Sequence, residues 1–151
     1  MQYKSFLLFI LLLTSCSFND EPVSFEQKEE FIDYANTANS VYFKFDSAKI
    51  EDEGIKRVNE MIHSLSIVRD VDVLLYGYAD KVGKVAYNKK LAGRRVNAIK
   101  KALEGSEVLE RNNIEIKSVV YGEYDPLVSF DTVDNNPKSR RVDIFIVNRK
   151  R

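Results

Sequence analysis

Three side chains within one stretch could do chemistry together: the carboxylate of Asp80, the amide of Asn88 and the guanidinium of Arg95. They fall within Tyr76–Arg95, Y-G-Y-A-D-K-V-G-K-V-A-Y-N-K-K-L-A-G-R-R, which leaves an apolar run, crosses a glycine-punctuated loop and enters a helical segment. At ~100° of rotation per residue, Asn88, Leu91 and Arg95 share one helix face, beside a core face of Ala92, Val96, Ile99 and Leu103. Asp46 ends an earlier apolar segment much as Asp80 ends this one. If the two segments are parallel strands, both carboxylates lie at one sheet edge, where ligands of open α/β sheets bind. An acid and a base held apart by a loop suit a zwitterion, and a guanidinium can hold a carboxylate through a forked pair of hydrogen bonds. The plainer structural alternative is that Asp80 and Arg95 bridge each other and fix the loop onto the helix. Arg140 is a further candidate, because a strand alternates faces and either it or Arg141 points inward.

The elements that must position these groups can be read in order. Val41–Phe45 alternates and is rich in β-formers, which predicts a first strand. Asp46 or Ser47 could cap the helix that follows. That helix is expected over Asp52–Ser66, with Ile55, Val58, Ile62 and Leu65 as its apolar stripe and Glu51, Asp52 and Glu53 at its positive end. His63, the one histidine, falls off the stripe and reads as solvent-facing. Val71–Tyr78 reads as a central, covered strand. A second helix is expected over Ala86–Glu104 with Gly105 as its stop, then strands over Ile114–Tyr121 and Arg141–Val147. The order β-α-β-α-β-β predicts an α+β two-layer sandwich, a mixed sheet with its helices on one face.

These segments resemble OmpA-like domains. That family's pattern runs G-H-T-D, a short glycine-containing loop, then N-x-x-L-S-x-x-R-A. Gly77, Asp80, Gly83, Asn88, Leu91 and Arg95 fall on it in order, while Tyr78, Ala79, Ala92 and Val96 depart from it. V-Y-F-K-F-D-S-A resembles the family's opening, and Gly122-Glu123, Pro126, Asn136 and Arg140-Arg141-Val142-Asp143 its ending. The resemblance spans about Val41 to Val147. It implies non-covalent binding of peptidoglycan at the free amino-acid end of diaminopimelate in a stem peptide. On that reading Arg95 takes the carboxylate and Asp80 the ammonium. Asp46 and Asn88 orient the head group, and Phe45 and Leu91 shape the walls. Asp80 and Arg95 are then expected at the surface, so that truncating either removes binding and spares the fold.

The N-terminal residues read as an address and an anchor. Phe6–Leu13 is an unbroken apolar run, too short for the ~20 residues that span a bilayer and suited to a signal peptide over residues 1–15. Leu13-Thr14-Ser15-Cys16 resembles a bacterial lipobox, which implies cleavage before Cys16 and lipidation of it. Acyl chains worth ~0.8 kcal/mol per buried CH₂ give stable attachment when two or more are present. Ser17, rather than aspartate, after the cysteine leans toward the outer membrane with the domain facing the periplasm. Residues 16–39 then form the lipidated cysteine and a tether, with a short helix between Phe25 and Ala38, and residues 40–151 form the binding domain.

Composition limits the alternatives. The 151 residues are 44% hydrophobic and 30% charged, which suits one globular domain with appendages. Lys+Arg and Asp+Glu are both 23, a balance that argues against nucleic-acid binding. One cysteine excludes an intrachain disulfide and a multi-cysteine metal site. Nothing calls for a cofactor or metal. Asp46 and Asp80 could in principle act on a glycosidic bond, but there is no G-x-S-x-G and no metal-ligand cluster, so the chain reads as a binding protein and not an enzyme. The alternative from another class is an envelope interaction module with a periplasmic protein partner of the Tol type.

Overall fold

Val71–Tyr78 carries one charge, Asp72, among apolar residues, and it forms strand β2, buried at every position. A strand covered on both faces needs such a continuous pattern. Three further strands, β1 (Asn39–Tyr42), β3 (Glu115–Gly122) and β4 (Arg141–Asn148), complete a sheet of order β1-β4-β2-β3. β2 pairs parallel with β3 and antiparallel with β4, which pairs antiparallel with β1. β1 and β2 therefore point the same way across β4, and their carboxyl ends share one edge. The structure, a computed structural model, describes residues 39–124 and 135–149. The segments expected to form a signal peptide, a lipidated Cys16 and a tether with a short helix between Phe25 and Ala38, and also Pro126, lie outside the described residues.

Helices α1 (Asp52–Ser66) and α2 (Val85–Glu104) pack on one face of the sheet, with a short helix α3 (Val108–Arg111) after them. This is the expected α+β architecture; α3 is the addition. The core between the layers joins Val58, Met61 and Leu65 of α1 and Val96, Ile99 and Leu103 of α2 to Val73, Leu75, Val142 and Ile144 of the sheet. The other face carries Leu74, Tyr76, Tyr78, Phe145 and Val147, with Arg141 and Asp143 paired at 2.9 Å beside them.

Three local expectations are corrected. β1 starts at Asn39 and ends at Tyr42, not Phe45, because its partner β4 begins at Arg141, opposite Tyr42. One more bond, from the Phe43 N–H to the Arg140 carbonyl, prolongs the pairing. Ile55 is 49% exposed; α1 instead buries Gly54, Val58, Met61 and Leu65. The stripe runs through Gly54 because the helix approaches β1 closely there: a Cβ on Gly54 would sit 2.9 Å from Val41 Cγ1. Neither Asp46 nor Ser47 caps α1, whose N-cap residue is Glu51 without a side-chain bond. Ser47 Oγ accepts from the Lys49 N–H at 3.1 Å. His63 is exposed, as its position off the stripe predicts.

Candidate ligand site at the carboxyl edge of the sheet

Asp46 and Asp80 leave β1 and β2 on the same edge, and the first turns of α2 lie over it. Asp46 has φ 50, a left-handed conformation that aspartate tolerates better than most residues. It turns the chain from β1 toward α1. Gly83, at φ 104, makes the second turn, in the loop between β2 and α2. There an L side chain would be strained.

α2 buries Asn88, Leu91 and Arg95 together on one side, as their spacing predicts. Leu91, 3% exposed, is the apolar floor. The Asn88 amide donates to Glu123 Oε2 at 2.8 Å. Phe45 is exposed at the rim. Arg95 is the surprise, because it has no exposed surface at all. Each of its nitrogens donates to a backbone carbonyl: Nε to Ser47 at 2.9 Å, Nη1 to Tyr78 at 3.0 Å and Nη2 to Lys44 at 3.2 Å. The Phe43 ring lies 5.3 Å from its guanidinium carbon. Burial pushes this guanidinium down to about 10, against the opposing field of Asp80. Arg95 thus ties the turn after β1 to the end of β2.

Asp80 is also buried, at 4% exposure, so the expectation that this pair lies at the surface is overturned for both. They do not form the direct bridge of the structural alternative either. Asp80 Oδ2 instead accepts from Arg140 Nη1 at 3.1 Å. Arg140 also donates from Nη1 to Asn135 Oδ1 at 2.7 Å and from Nε to the Phe43 carbonyl at 3.3 Å. The open choice between neighbouring arginines resolves by strand alternation: Arg140 meets the site, and Arg141 turns to the helix-free face and pairs with Asp143. Among the described residues Asp80 Oδ1 and Arg140 Nη2 have no hydrogen-bond partner. The site is therefore a recessed acid–base pair with one unused acceptor and one unused donor nitrogen.

Three polar neighbours escaped the sequence reading. Glu123, in the turn just after β3, holds Asn88. Tyr87 donates from its hydroxyl to Asp46, and Arg94 Nη2 reaches the same hydroxyl at 3.5 Å with its guanidinium 5.5 Å from the ring. Tyr87 and Arg94 stand seven residues apart, two helical turns, and that spacing could have flagged them. Tyr78 departs from the pattern's histidine, but its ring lies on the helix-free face, stacked on Tyr121 at 5.2 Å with Arg141 4.3 Å from its centre.

Residues 42–140 match the model of the OmpA family. The peptidoglycan-associated lipoprotein of Buchnera aphidicola is 25% identical over 113 residues, 75% of this chain and 64% of the relative. Outer membrane porin F of Pseudomonas aeruginosa is 28% identical over 103 residues, 68% of this chain and 29% of the relative. The chain thus spans less than two thirds of either relative. The crystal structure of the peptidoglycan-associated lipoprotein from Burkholderia pseudomallei superposes with TM-score 0.59 at 26% identity, covering 71% of this chain and 88% of that one.

Proposed function

The chain belongs to the OmpA family, and from that premise we propose that it is a lipid-anchored protein of the outer membrane that binds peptidoglycan non-covalently and tethers that membrane to the cell wall. The ligand group is the free amino-acid end of diaminopimelate, an ammonium and a carboxylate on one carbon. The observation that carries this reading is the convergence of Asp80, Arg95 and Arg140 with Asn88 at the shared carboxyl edge of β1 and β2. Buried opposite charges are costly unless paired and hydrogen-bonded, so a recessed set with spare bonding capacity suits a small zwitterion that completes it. The names of the Buchnera and Burkholderia relatives, both peptidoglycan-associated lipoproteins, support the same partner. Cys16 supplies the anchor in this reading, and the segment up to Asn39 the reach between membrane and wall.

The test is sedimentation of the full chain, held in detergent micelles, with purified peptidoglycan sacculi. Wild type should pellet with the wall. Asp80→Asn keeps the side-chain shape and removes the charge, and should lower affinity about tenfold or more; because it also leaves the Arg140 guanidinium without its charge partner, it should lose stability as well, so binding is compared at a temperature where both proteins are folded. Equal pelleting of a folded Asp80→Asn protein would move the binding site elsewhere, and failure of wild type to pellet would remove the wall as partner.

A further inference from the structure

We propose that residues 25–38 form an amphipathic helix that docks on the helix-free face of the sheet, so that only residues 16–24 remain as a free tether. The docking goes beyond the wall-binding reading and stands without it. Its effect on reach rests on Cys16 as the anchor.

The face itself calls for a cover. Leu74, Tyr76, Tyr78, Phe145 and Val147 form one apolar cluster on it, each at most 9% exposed. Yet α1 and α2 pack against the opposite face. Burial pushes the Tyr76 and Tyr121 hydroxyls above their ordinary value. Apolar patches built from several large side chains are rarely left open on a monomer, and a sheet face of this composition needs a second layer.

Residues 25–38 have the pattern and the position to supply it. Phe31, Tyr34, Ala35 and Ala38 recur at i, i+3, i+4 and i+7, which makes one helical stripe. Glu26, Glu29, Glu30 and Asp33 fall on the opposite side, and Lys28 is the one base in the segment. Helices that lie on membranes carry Lys and Arg on the polar face. An acidic one suits a protein surface instead. The chain meets the sheet at Asn39, opposite Ile144 and one register step from Phe145. Ser40 already points to the helix-free face, where its hydroxyl donates to Asp143 Oδ1 at 2.6 Å. A helix of residues 25–38 spans about 21 Å, enough to cross four strands spaced about 4.8 Å apart. Residues 125–134 run between the end of β3 and the start of β4, both at the carboxyl edge. That leaves Leu74, Phe145 and Val147, farther down the sheet, to residues 25–38. Docked, the segment leaves at most about 30 Å of free chain from residue 16 to residue 24; released, residues 16–38 reach about 80 Å. The dock therefore sets how far the domain stands from the membrane that Cys16 enters.

The experiment measures amide hydrogen exchange of the full chain in detergent micelles at two protein concentrations. In wild type the amides of residues 28–38 should exchange about tenfold or more slowly than in an unfolded chain, equally at both concentrations. Phe31→Asp, which places a charge in the stripe, should abolish that protection while the amides of β2 and α2 keep theirs. Phe145→Ala removes a contact from the sheet side and should also release residues 28–38. Phe31→Asp lies outside the described residues and keeps the test sound where Phe145→Ala fails to fold. No protection in wild type, or protection that survives Phe31→Asp, overturns the proposal. Protection that survives in a folded Phe145→Ala protein places the helix on the micelle, and protection that grows with protein concentration assigns the face to a second copy; either result overturns it as well. Sacculus sedimentation enters none of these readouts, so failure of the wall-binding reading leaves the docking standing.

Discussion

Single side chains decide whether this edge of the sheet is a site or only a seam. Arg95 does the seam's work. Truncation to alanine removes one buried hydrogen bond, to the Tyr78 carbonyl, and two part-buried ones, to Ser47 and Lys44, and an acceptor left unpaired where water cannot reach it costs about 1–3 kcal/mol. Arg95→Ala should therefore lower stability by about 3 kcal/mol or more, read as a drop in the urea midpoint at unchanged m value. Arg95→Lys should recover part of this, because an ammonium is a point donor that cannot reach three diverging carbonyls. Unchanged stability in Arg95→Ala would mean that the guanidinium is not structural. Binding assays on Arg95 variants are otherwise confounded by folding, so each is read beside its unfolding curve. The residue types of the site were legible in the chain: acid, amide and guanidinium, at the right helical spacing. Their partners were not. Arg140 meets Asp80 across 60 residues and Glu123 meets Asn88 across 35, and no local pattern encodes which of several arginines or glutamates closes such a contact.

Elements were legible where their surroundings are uniform and misjudged where a neighbour intervenes. β2 was read to the residue because it is covered on both faces and its whole length must be apolar. α1 was placed correctly, but its buried face was rotated from the expected one, because Gly54 lets the helix approach β1 and that contact is invisible in α1's own periodicity. β1 was shifted because a strand ends where its partner does, and the start of β4 was set by the Pro137–Ser139 turn. A similar close approach governs α2. A Cβ on Gly77 of β2 would lie 2.4 Å from Val96 Cγ2 and 3.0 Å from the Ala92 carbonyl oxygen. Val96 can turn aside, but the backbone oxygen cannot. Gly77→Ala should push α2 off the sheet and cost about 1–3 kcal/mol. The same shift would drag Asn88 and Arg95 with the helix, so the variant should also bind the wall more weakly than its stability loss alone predicts. Thermal unfolding together with sacculus sedimentation checks both, and a Gly77→Ala protein of wild-type stability would show that the helix–sheet spacing is slack.

At the scale of the whole molecule, a buried carboxylate at the end of the sheet remote from the site contributes to stability against acid. Asp72 of β2 is 5% exposed and accepts from Lys117 of β3 and, at 2.9 Å, from Arg149 just beyond β4. Arg149 reaches Glu115 as well, at 3.3 Å. Three strands are thus tied by one carboxylate. Burial alone would push Asp72 up, but the hydrogen bonds from Lys117 and Arg149 outweigh it and hold the group below the usual carboxylate range. A lowered folded value means that the unfolded chain binds the proton first. The contribution is therefore present above the unfolded carboxylate range, near pH 4, and is lost as pH falls through the folded value. Arg95 acts at the opposite extreme. Its folded value near 10 lies below that of the free side chain, so the unfolded chain holds more protons above pH ~10 and stability rises with pH there. Neither group titrates between these windows. The urea midpoint should consequently be insensitive to both from about pH 5 to pH 9 and fall below about pH 4. Asp72→Asn should lower the neutral midpoint and flatten the acid limb, since the variant has no carboxylate left to protonate at that position. Lys117 is largely exposed, so its share of the effect should shrink in high salt, while the share from Arg149 persists. An acid limb as steep in Asp72→Asn as in wild type would locate the acid-sensitive group elsewhere.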